Sequence, residues 1–160
     1  MKTIIQVKQI SYDEAKAQAF AIRMRVFVLE QGVPADIEID RDDRGAIHLL
    51  ASVSGKPAGT ARIVMRRANA KIGRMAVLKS YRKRGVGSKL LKRAFAVAKK
   101  LGAKKIYLHA QVAVIGFYEK FGFHCSGPVF DEAGIAHRKM LHEARGLRRE
   151  ARGKKKKQRG

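Results

Sequence analysis

The stretch that decides the fold is residues 70–102, AKIGRMAVLKSYRKRGVGSKLLKRAFAVAKKLG, which joins an apolar run to an amphipathic segment. Residues 70–77 are apolar enough for a buried strand, and apolar side chains then recur at helical spacing from Val86 onward. The final glycine of the stretch marks the end of that helix. The sequence therefore predicts a strand, a loop at residues 82–87 and a long helix in immediate succession.

The loop, Arg82-Lys83-Arg84-Gly85-Val86-Gly87, has the composition of a phosphate-binding segment. Amides at the start of a helix have no acceptor within the helix, and the peptide dipoles add positive potential there. The two glycines keep side chains away from an approaching anion. Two interpretations remain open at this point: a pyrophosphate site, or a basic surface turn that caps an ordinary helix.

The rest of the chain adds strands before this stretch and a mixed segment after it. Ser11 and Glu14 form a capping box at the start of the first helix. A turn at residues 131–134 separates the last two strands. The predicted elements outside 70–102 are strand 2–10, helix 11–31, strands 47–53 and 58–65, strand 105–109, helix 112–121, and strands 123–125 and 135–141.

Length and composition indicate one α/β domain, residues 1–142, followed by a basic tail, residues 143–160, that we expect to be mostly disordered. The chain has 36 Lys and Arg against 13 Asp and Glu, a net charge of +23, which favours polyanionic ligands such as coenzyme A or nucleic acid. Cys125 is the only cysteine, so an internal disulfide is excluded. No apolar run is long enough to span a membrane, and we expect a soluble, cytoplasmic protein with no membrane partner.

Two motifs in sequence carry a resemblance to a known family. Arg82-x-x-Gly85-x-Gly87 resembles the cofactor loop of the GNAT N-acetyltransferases, and GFYEKFGF, residues 116–123, resembles their later Phe-Tyr-x-x-x-Gly-Phe element. The first half of the chain is similar to a small bacterial branch of that family. The resemblance implies the GNAT acyl-CoA N-acyltransferase fold, a mixed and mostly antiparallel twisted sheet of six to seven strands flanked by helices. It also implies acetyl-CoA as co-substrate and no metal.

The resemblance further implies roles for individual residues. The backbone of residues 75–77 would pair with the pantetheine arm, an amide of Ala76 or Val77 would serve as oxyanion donor, and the amides of residues 83–88 would hold the pyrophosphate. Tyr118 would be the general acid for the coenzyme A thiolate. Gln111 stands where many members have Asn. The implied cofactor-binding residues are Met75, Ala76, Val77, Arg82, Lys83, Arg84, Gly85, Val86, Gly87, Ser88, Gln111 and Tyr118.

The general base has several candidates, since an alkylamine with a pKa near ~10.4 must lose a proton before it attacks. The candidates are Glu30, His109 and His48, with Glu38 and Asp40 weaker. Each also has a structural interpretation: Glu30 as an ion-pair partner of Arg23 or Arg25, and His109 as a packed ring at a strand end. Tyr118 could likewise be a core aromatic beside Phe117 and Phe121.

The predicted function is transfer of an acetyl group to a primary amine of a small molecule or peptide, in a ternary complex, by a monomer or homodimer. An alternative is a nucleic-acid- or ribosome-associated binding protein on the same fold, with the basic tail as tether. A minor alternative is an acyl-homoserine-lactone-synthase-like enzyme, because Arg23-x-x-Val26-Phe27 and Glu38-x-Asp40 resemble that group. Arg74 has two interpretations, a ligand for an acceptor carboxylate or a partner of the acidic segment 32–45. That segment could itself receive a cationic amine.

Overall fold

A computed structural model describes residues 4–143, so the predicted tail lies almost entirely outside the described residues. The chain begins with β1, Ile5–Ile10, and continues into a long helix, α1, residues 12–30. The Ser11 hydroxyl accepts from the Glu14 amide at 3.1 Å, and the Glu14 carboxylate accepts from the Ser11 amide at 3.4 Å. The predicted capping box is therefore present, and Gly32, with φ of 75°, follows the end of the helix.

Helix α1 is not uniform along its length. Its α-helical turns, Tyr12–Glu14 and Phe20–Arg23, alternate with π-helical stretches, Ala15–Ala19 and Met24–Glu30. The remaining elements follow in the order α2 (Ala35–Glu38), β2 (Ile47–Val53), β3 (Lys56–Arg66), β4 (Asn69–Val77), α3 (Val86–Lys100), β5 (Lys105–Gln111), α4 (Ile115–Glu119), β6 (His124–Cys125), β7 (Phe130–Glu132) and β8 (Ile135–Glu143). Short 3₁₀ turns occupy Arg41–Asp43, Lys79–Tyr81 and Val112–Val114.

The described residues fall into two compact units. The first unit comprises residues 4–64 and 72–97, and the second comprises residues 65–71 and 98–143. In the first unit the strands follow the order β1-β2-β3-β4, with β1–β2 and β2–β3 antiparallel. Helix α1 covers part of this sheet, because its apolar residues form one cluster with strand residues. The cluster consists of Ile10, Ala15, Ala19, Phe20, Ile22, Val26, Leu50 and Ala76.

Helix α3 is amphipathic, as its spacing predicts. Its apolar stripe is buried at Val86, Leu90, Leu91 and Ala94. Lys89, Lys92 and Arg93 are exposed on the opposite face. Packing of the apolar stripe on the sheet therefore fixes the start of α3, and this also fixes where the preceding loop ends.

In the second unit, the beginning of β4 pairs in parallel with β5 over three residue pairs, from Asn69 with Lys105 to Lys71 with Tyr107. Strand β8 pairs antiparallel with β5, and both β6 and β7 pair antiparallel with β8. Strands β7 and β8 form a hairpin whose two-residue turn, Ala133-Gly134, has φ of 55° and 81°. Positive φ at both positions matches the right-handed twist of a tight hairpin.

The predicted fold class is confirmed: an α/β protein with a mixed, mostly antiparallel sheet flanked by helices. Within residues 4–143 the sheet has eight strands where six to seven were predicted, because β7 occupies part of the segment predicted as a turn. The predicted helix 112–121 is shorter, with a 3₁₀ turn followed by α4. None of the described helices combines the length and apolarity that crossing a membrane requires.

Candidate active site

The loop at residues 82–87 lies in the first unit and includes two residues with positive φ. Lys83 and Gly85 have φ of 63° and 87°, both in the left-handed region. Left-handed residues within a turn can point successive amides toward one side, a geometry that binds anions. The first i to i−4 hydrogen bond of α3 runs from the Lys89 amide to the Gly85 carbonyl at 3.1 Å, so the amides of residues 86–88 precede the helical ladder. A Cβ built on Gly85 would meet no atom within 4 Å, so the approach to the backbone is open.

The side chain of Arg82 holds the loop to two neighbouring elements. Its Nε donates to the Val77 carbonyl at 2.9 Å, and its Nη2 donates to both carboxylate oxygens of Glu30 at 3.0 and 2.8 Å. Arg82 thereby ties the end of β4 to the end of α1. Glu30 is thus an ion-pair partner, as one interpretation predicted, but its partner is Arg82 rather than Arg23 or Arg25.

Close packing at Gly59 positions the start of α3 against the sheet. A Cβ at Gly59 would lie 3.0 Å from the Ala76 carbonyl oxygen, 3.0 Å from Leu90 Cδ1 and 3.1 Å from Val86 Cγ1. The Leu78 amide also donates to the Ala58 carbonyl at 2.8 Å, which holds the end of β4 to β3. Only glycine allows this approach of three elements without displacement.

Arg74 departs from the extended conformation inside β4, with φ of 48°. Such a backbone costs about 1–2 kcal/mol for a residue with a side chain. The side chain offsets that cost by binding the acidic segment: Nε donates to the Glu38 carbonyl at 3.1 Å, and Nη2 to Asp40 Oδ2 at 3.1 Å. The structure therefore agrees with the second interpretation of Arg74, as a partner of the acidic segment 32–45.

Three arginines and three carboxylates form an ionic network in the first unit. Arg23, which is 1% exposed, donates to Asp43 Oδ1 at 2.7 Å and to Glu38 Oε1 at 3.0 Å. Arg62 donates to Asp40 Oδ1 at 2.7 Å and to Asp43 Oδ1 at 3.1 Å. Because these carboxylates are occupied by the protein's own arginines, they are accounted for without a bound cationic amine.

The network controls the titration of its most buried acid. Burial alone would raise the pKa of Asp43, but hydrogen bonds from Arg23 and from the Asp40 amide, together with the charges of Arg23 and Arg62, lower that pKa to about 2. The carbonyl of Asp43 also contacts His48 Nε2 at 2.8 Å. His48, the third base candidate, is buried, and this contact links it to the turn.

An open pocket of about 490 Å³ lies beside the loop, also within the first unit. Its walls combine apolar and charged side chains, and Glu30 is among them. The lining residues are Arg25, Leu29, Glu30, Leu78, Lys79 and Ser80. Leu29 is 77% exposed, an apolar surface that a ligand with a hydrocarbon portion would cover.

Tyr118 lies on α4 in the second unit, within an aromatic group. Its ring is 5.1 Å from that of Phe117 and 6.2 Å from that of Phe123, both in edge-to-face geometry. Burial raises the pKa of Tyr118 to about 12. The hydroxyl therefore stays protonated at every pH at which the protein would work, as a donor role requires.

His109, near the end of β5, contacts a carboxylate and an aromatic ring of the same unit. Its Nδ1 lies 3.1 Å from Glu132 Oε1, and its ring is 5.0 Å from that of Phe130 at 79°. The hydrogen bond from His109 lowers the pKa of Glu132, against the opposing effect of burial. The predicted packed ring is thus present, but with a carboxylate partner.

The structure also locates the other predicted site residues. Met75, Ala76 and Val77 form the end of β4 in the first unit, and Gln111 is the last residue of β5 in the second. Sequence reasoning missed Glu132 and the partnership of Arg82 with Glu30. For Glu132, the signal was its place immediately before an Ala-Gly turn, which puts it at the end of a hairpin strand.

Comparison with known proteins connects this geometry to a family. The acetyltransferase (GNAT) family matches residues 12–123. The chain is 37% identical over 132 residues to the uncharacterized N-acetyltransferase YjcF of Bacillus subtilis, covering 82% of this chain and 94% of the relative. The solved structure of Escherichia coli ElaA aligns with a TM-score of 0.78 and 27% identity, covering 88% of this chain and 100% of that one.

A crystal structure of an acyl-CoA N-acyltransferase from Pseudomonas aeruginosa is similarly close, with a TM-score of 0.75 and 27% identity over 88% of this chain and 99% of that chain. The family match spans well over half of the sequence, and the identity to YjcF extends over most of both proteins. This chain therefore belongs to the GNAT acetyltransferase family, and it is an acyltransferase.

Proposed function

We propose that the protein transfers an acetyl group from acetyl-CoA to a primary amine of a small molecule or peptide. The observation that carries the proposal is the pair of left-handed residues, Lys83 and Gly85, directly before the amides that open α3. Acetyl-CoA supplies an activated acetyl thioester and two anchoring phosphates. The chain's contribution is to bind the diphosphate, align the thioester and manage two protons.

Residues of the loop suit a diphosphate. The amides of residues 83–88 provide donors, and the exposed side chains of Lys83 and Arg84 add positive charge. Two of the three guanidinium nitrogens of Arg82, Nε and Nη2, bind the Val77 carbonyl and Glu30, so we assign Arg82 to holding the loop rather than to binding the diphosphate. The backbone of residues 75–77 would receive the pantetheine arm, and an amide of Ala76 or Val77 would polarise the thioester carbonyl.

Tyr118 would act on the departing sulfur. A phenol with a pKa of about 12 holds its proton more strongly than a thiol with a pKa near ~8.5, so complete transfer to a thiolate is uphill. A hydrogen bond from the hydroxyl to charge developing on sulfur needs no such transfer. We therefore assign Tyr118 as the donor that stabilises the leaving thiolate, with the final proton taken from solvent.

The test is a calorimetric titration with acetyl-CoA followed by an amine panel assayed for release of free thiol. We expect binding in the micromolar range and thiol release that depends on the amine. Gly87→Val should weaken binding, because a side chain there would hold the diphosphate away from the helix start, whereas Gly45→Ala, in an open loop, should not. Absence of binding at millimolar acetyl-CoA would reject the proposal.

A second candidate function is contact with a polyanion such as nucleic acid. The sequence of α3 contains no acidic residue, and its exposed Lys89, Lys92 and Arg93 lie on one face at i, i+3 and i+4. Like charges at this spacing repel each other, and an anionic partner would relieve that repulsion. Binding of duplex DNA that weakens with salt and is lost in Lys92→Glu/Arg93→Glu would support it. Truncation after His142 tests how much of the DNA affinity comes from the basic tail.

A further inference from the structure

Glu132 and His109 form a pair with the geometry of a positioned base. We propose that Glu132 is a positioning residue that fixes the tautomer of His109, so that His109 Nε2 accepts the proton from the acceptor ammonium. This inference rests on the proposed function, and it selects His109 over Glu30 as the proton acceptor. Glu132 belongs to the β7–β8 hairpin, and its role cannot be read from the two family motifs.

The contact between the two side chains determines where the ring hydrogen lies. A carboxylate can only accept a hydrogen bond, so the 3.1 Å contact to Glu132 Oε1 requires that His109 Nδ1 carries the hydrogen. In the neutral ring, Nε2 then carries the lone pair. Among residues 4–143, no hydrogen bond to Nε2 of His109 is found. The nitrogen that can take a proton is thus the one the protein leaves available.

Glu132 is held in its ionised form. Its hydrogen bond with His109 lowers its pKa, and the nearby charges of Lys71 and His137 act in the same direction. The lowered pKa favours the carboxylate form of Glu132. A fixed negative charge at Nδ1 stabilises the imidazolium that forms when Nε2 takes a proton, as in other carboxylate–histidine pairs.

Aromatic packing makes the pair rigid. Phe130 packs edge-to-face on His109 and stacks on His137 at 6.0 Å and 26°, which restrains both rings. His137 donates from Nδ1 to the Ile135 carbonyl at 2.7 Å, while its Nε2 lies 3.6 Å from Glu132 Oε2, outside hydrogen-bond distance. Oε1 of Glu132 is therefore left to His109. The other groups around this pair are Tyr107 and Lys139, which pack against each other, and Lys71.

By contrast, Glu30 is poorly suited to take the proton. Both of its carboxylate oxygens accept from Arg82 Nη2, and the same guanidinium holds the Val77 carbonyl. Protonation of Glu30 would break the link that supports the cofactor loop. In the proposed step, the acceptor ammonium loses one proton to His109 Nε2, leaving a neutral amine and an imidazolium, and the imidazolium later releases that proton to solvent.

The experiment combines nitrogen-15 NMR of the histidine rings with kinetics on the full-length protein. In the wild type, neutral His109 should show a protonated Nδ1 and an unprotonated Nε2. Glu132→Ala should shift the ring toward the Nε2-protonated tautomer and lower kcat at least about tenfold with little change in KM. Glu132→Gln retains an oxygen acceptor and should keep the tautomer, with turnover between the two.

Matched variants separate this role from a general loss of charge or of fold. Glu119→Ala removes an exposed carboxylate of the same unit and should change neither the tautomer nor the turnover. His109→Gln should slow turnover about 10²-fold or more. Adding Glu132→Ala to it should cause no further loss, because Glu132 acts through His109.

Three results would overturn the inference: an Nδ1-protonated ring in Glu132→Ala, unchanged turnover in that variant, or fully additive losses in the double variant. Failure of the proposed function is distinguishable from these. If the wild type binds no acetyl-CoA and releases no thiol, the proposed function is rejected, and the role of His109 as base is rejected with it. The tautomer measurement would then still report whether Glu132 orients His109.

Discussion

At the scale of single residues, two charged side chains that the sequence offered as functional bind other parts of the protein. Glu30 and Arg74 both read from sequence as possible substrate contacts, and both bind other parts of the protein. A helix-end glutamate offers no signal of which arginine it will meet, because Arg82 is 52 positions away in the chain. The sequence-based interpretation paired Glu30 with Arg23 or Arg25 of the same helix, whereas the tertiary fold brings Arg82 to it.

Replacing Tyr118 by Phe tests the assignment at the leaving group. We expect turnover to slow about 10²-fold, since one donor to developing charge is lost, while acetyl-CoA affinity stays unchanged. Because the pKa of Tyr118 is raised to about 12, the wild type should show no loss of activity from its ionisation up to a pH of about 10. Tyr12→Phe, in the core of the first unit, serves as the control. Equal turnover in Tyr118→Phe and wild type would contradict the assignment.

Replacing Glu30 by Gln distinguishes support of the loop from base catalysis. An ion pair of this exposure contributes about 0.2–1 kcal/mol, so acetyl-CoA affinity should weaken at most about fivefold, with turnover retained. Calorimetry and steady-state kinetics measure the two quantities. Asp36→Asn, another exposed carboxylate of the first unit, provides the comparison. If Glu30→Gln instead slowed turnover about 10²-fold, Glu30 would be the base.

At the scale of elements, the strand, loop and helix of residues 70–102 could be read in full from periodicity and two glycines. The structure places β4 at Asn69–Val77 and α3 at Val86–Lys100, as that pattern predicts. Strand β7 could not be read, because three residues are too few to show alternation. The pair of His109 and Glu132 depends on that strand, and the sequence signal for Glu132 was limited to its place before the Ala133-Gly134 turn.

The close approach at Gly59 gives an element-scale prediction. Gly59→Ala should lower the free energy of unfolding by about 1–3 kcal/mol, because the new methyl group would overlap the Ala76 carbonyl and the first turn of α3. Displacing that turn should also weaken acetyl-CoA binding. Urea denaturation measures the first effect and calorimetry the second. Gly45→Ala is the control, and an unchanged denaturation midpoint in Gly59→Ala would refute the packing argument.

At the scale of the whole molecule, the net charge of +23 coexists with a buried network in which three arginines face three carboxylates. The network adds no net charge, so the excess positive charge belongs to the rest of the chain. Composition could predict the excess of positive charge. It could not predict that Arg23, Arg62 and Arg74 are neutralised by the acidic segment, because that pairing arises only in the tertiary structure. The boundary between domain and tail at residue 142 remains a prediction.

The free energy of unfolding at acid pH should depend on this network. Asp43 has a pKa of about 2 in the folded protein and an ordinary value of 3.8 when unfolded, so the unfolded chain binds its proton first as pH falls. The stabilisation from Asp43 is complete above pH ~5 and is lost progressively below its unfolded pKa, by about 1–2 kcal/mol between pH ~5 and ~2.5. Glu38, whose pKa is raised by burial, contributes in the opposite sense. Urea denaturation across this range measures it. Asp43→Asn should show a shallower dependence over the same interval, and parallel curves would contradict the assignment.

The ionic network has a consequence for how sequences of this kind can diverge. Removing one of its four buried members would leave an opposite charge stranded away from water, at a cost of about 3–5 kcal/mol, a large share of the stability of a small domain. Neutral drift at any one of these four positions is therefore blocked. Arg23, Arg62, Glu38 and Asp43 should be inherited, or exchanged for apolar side chains, as a set, whereas the partly exposed Arg74 and Asp40 are freer to change.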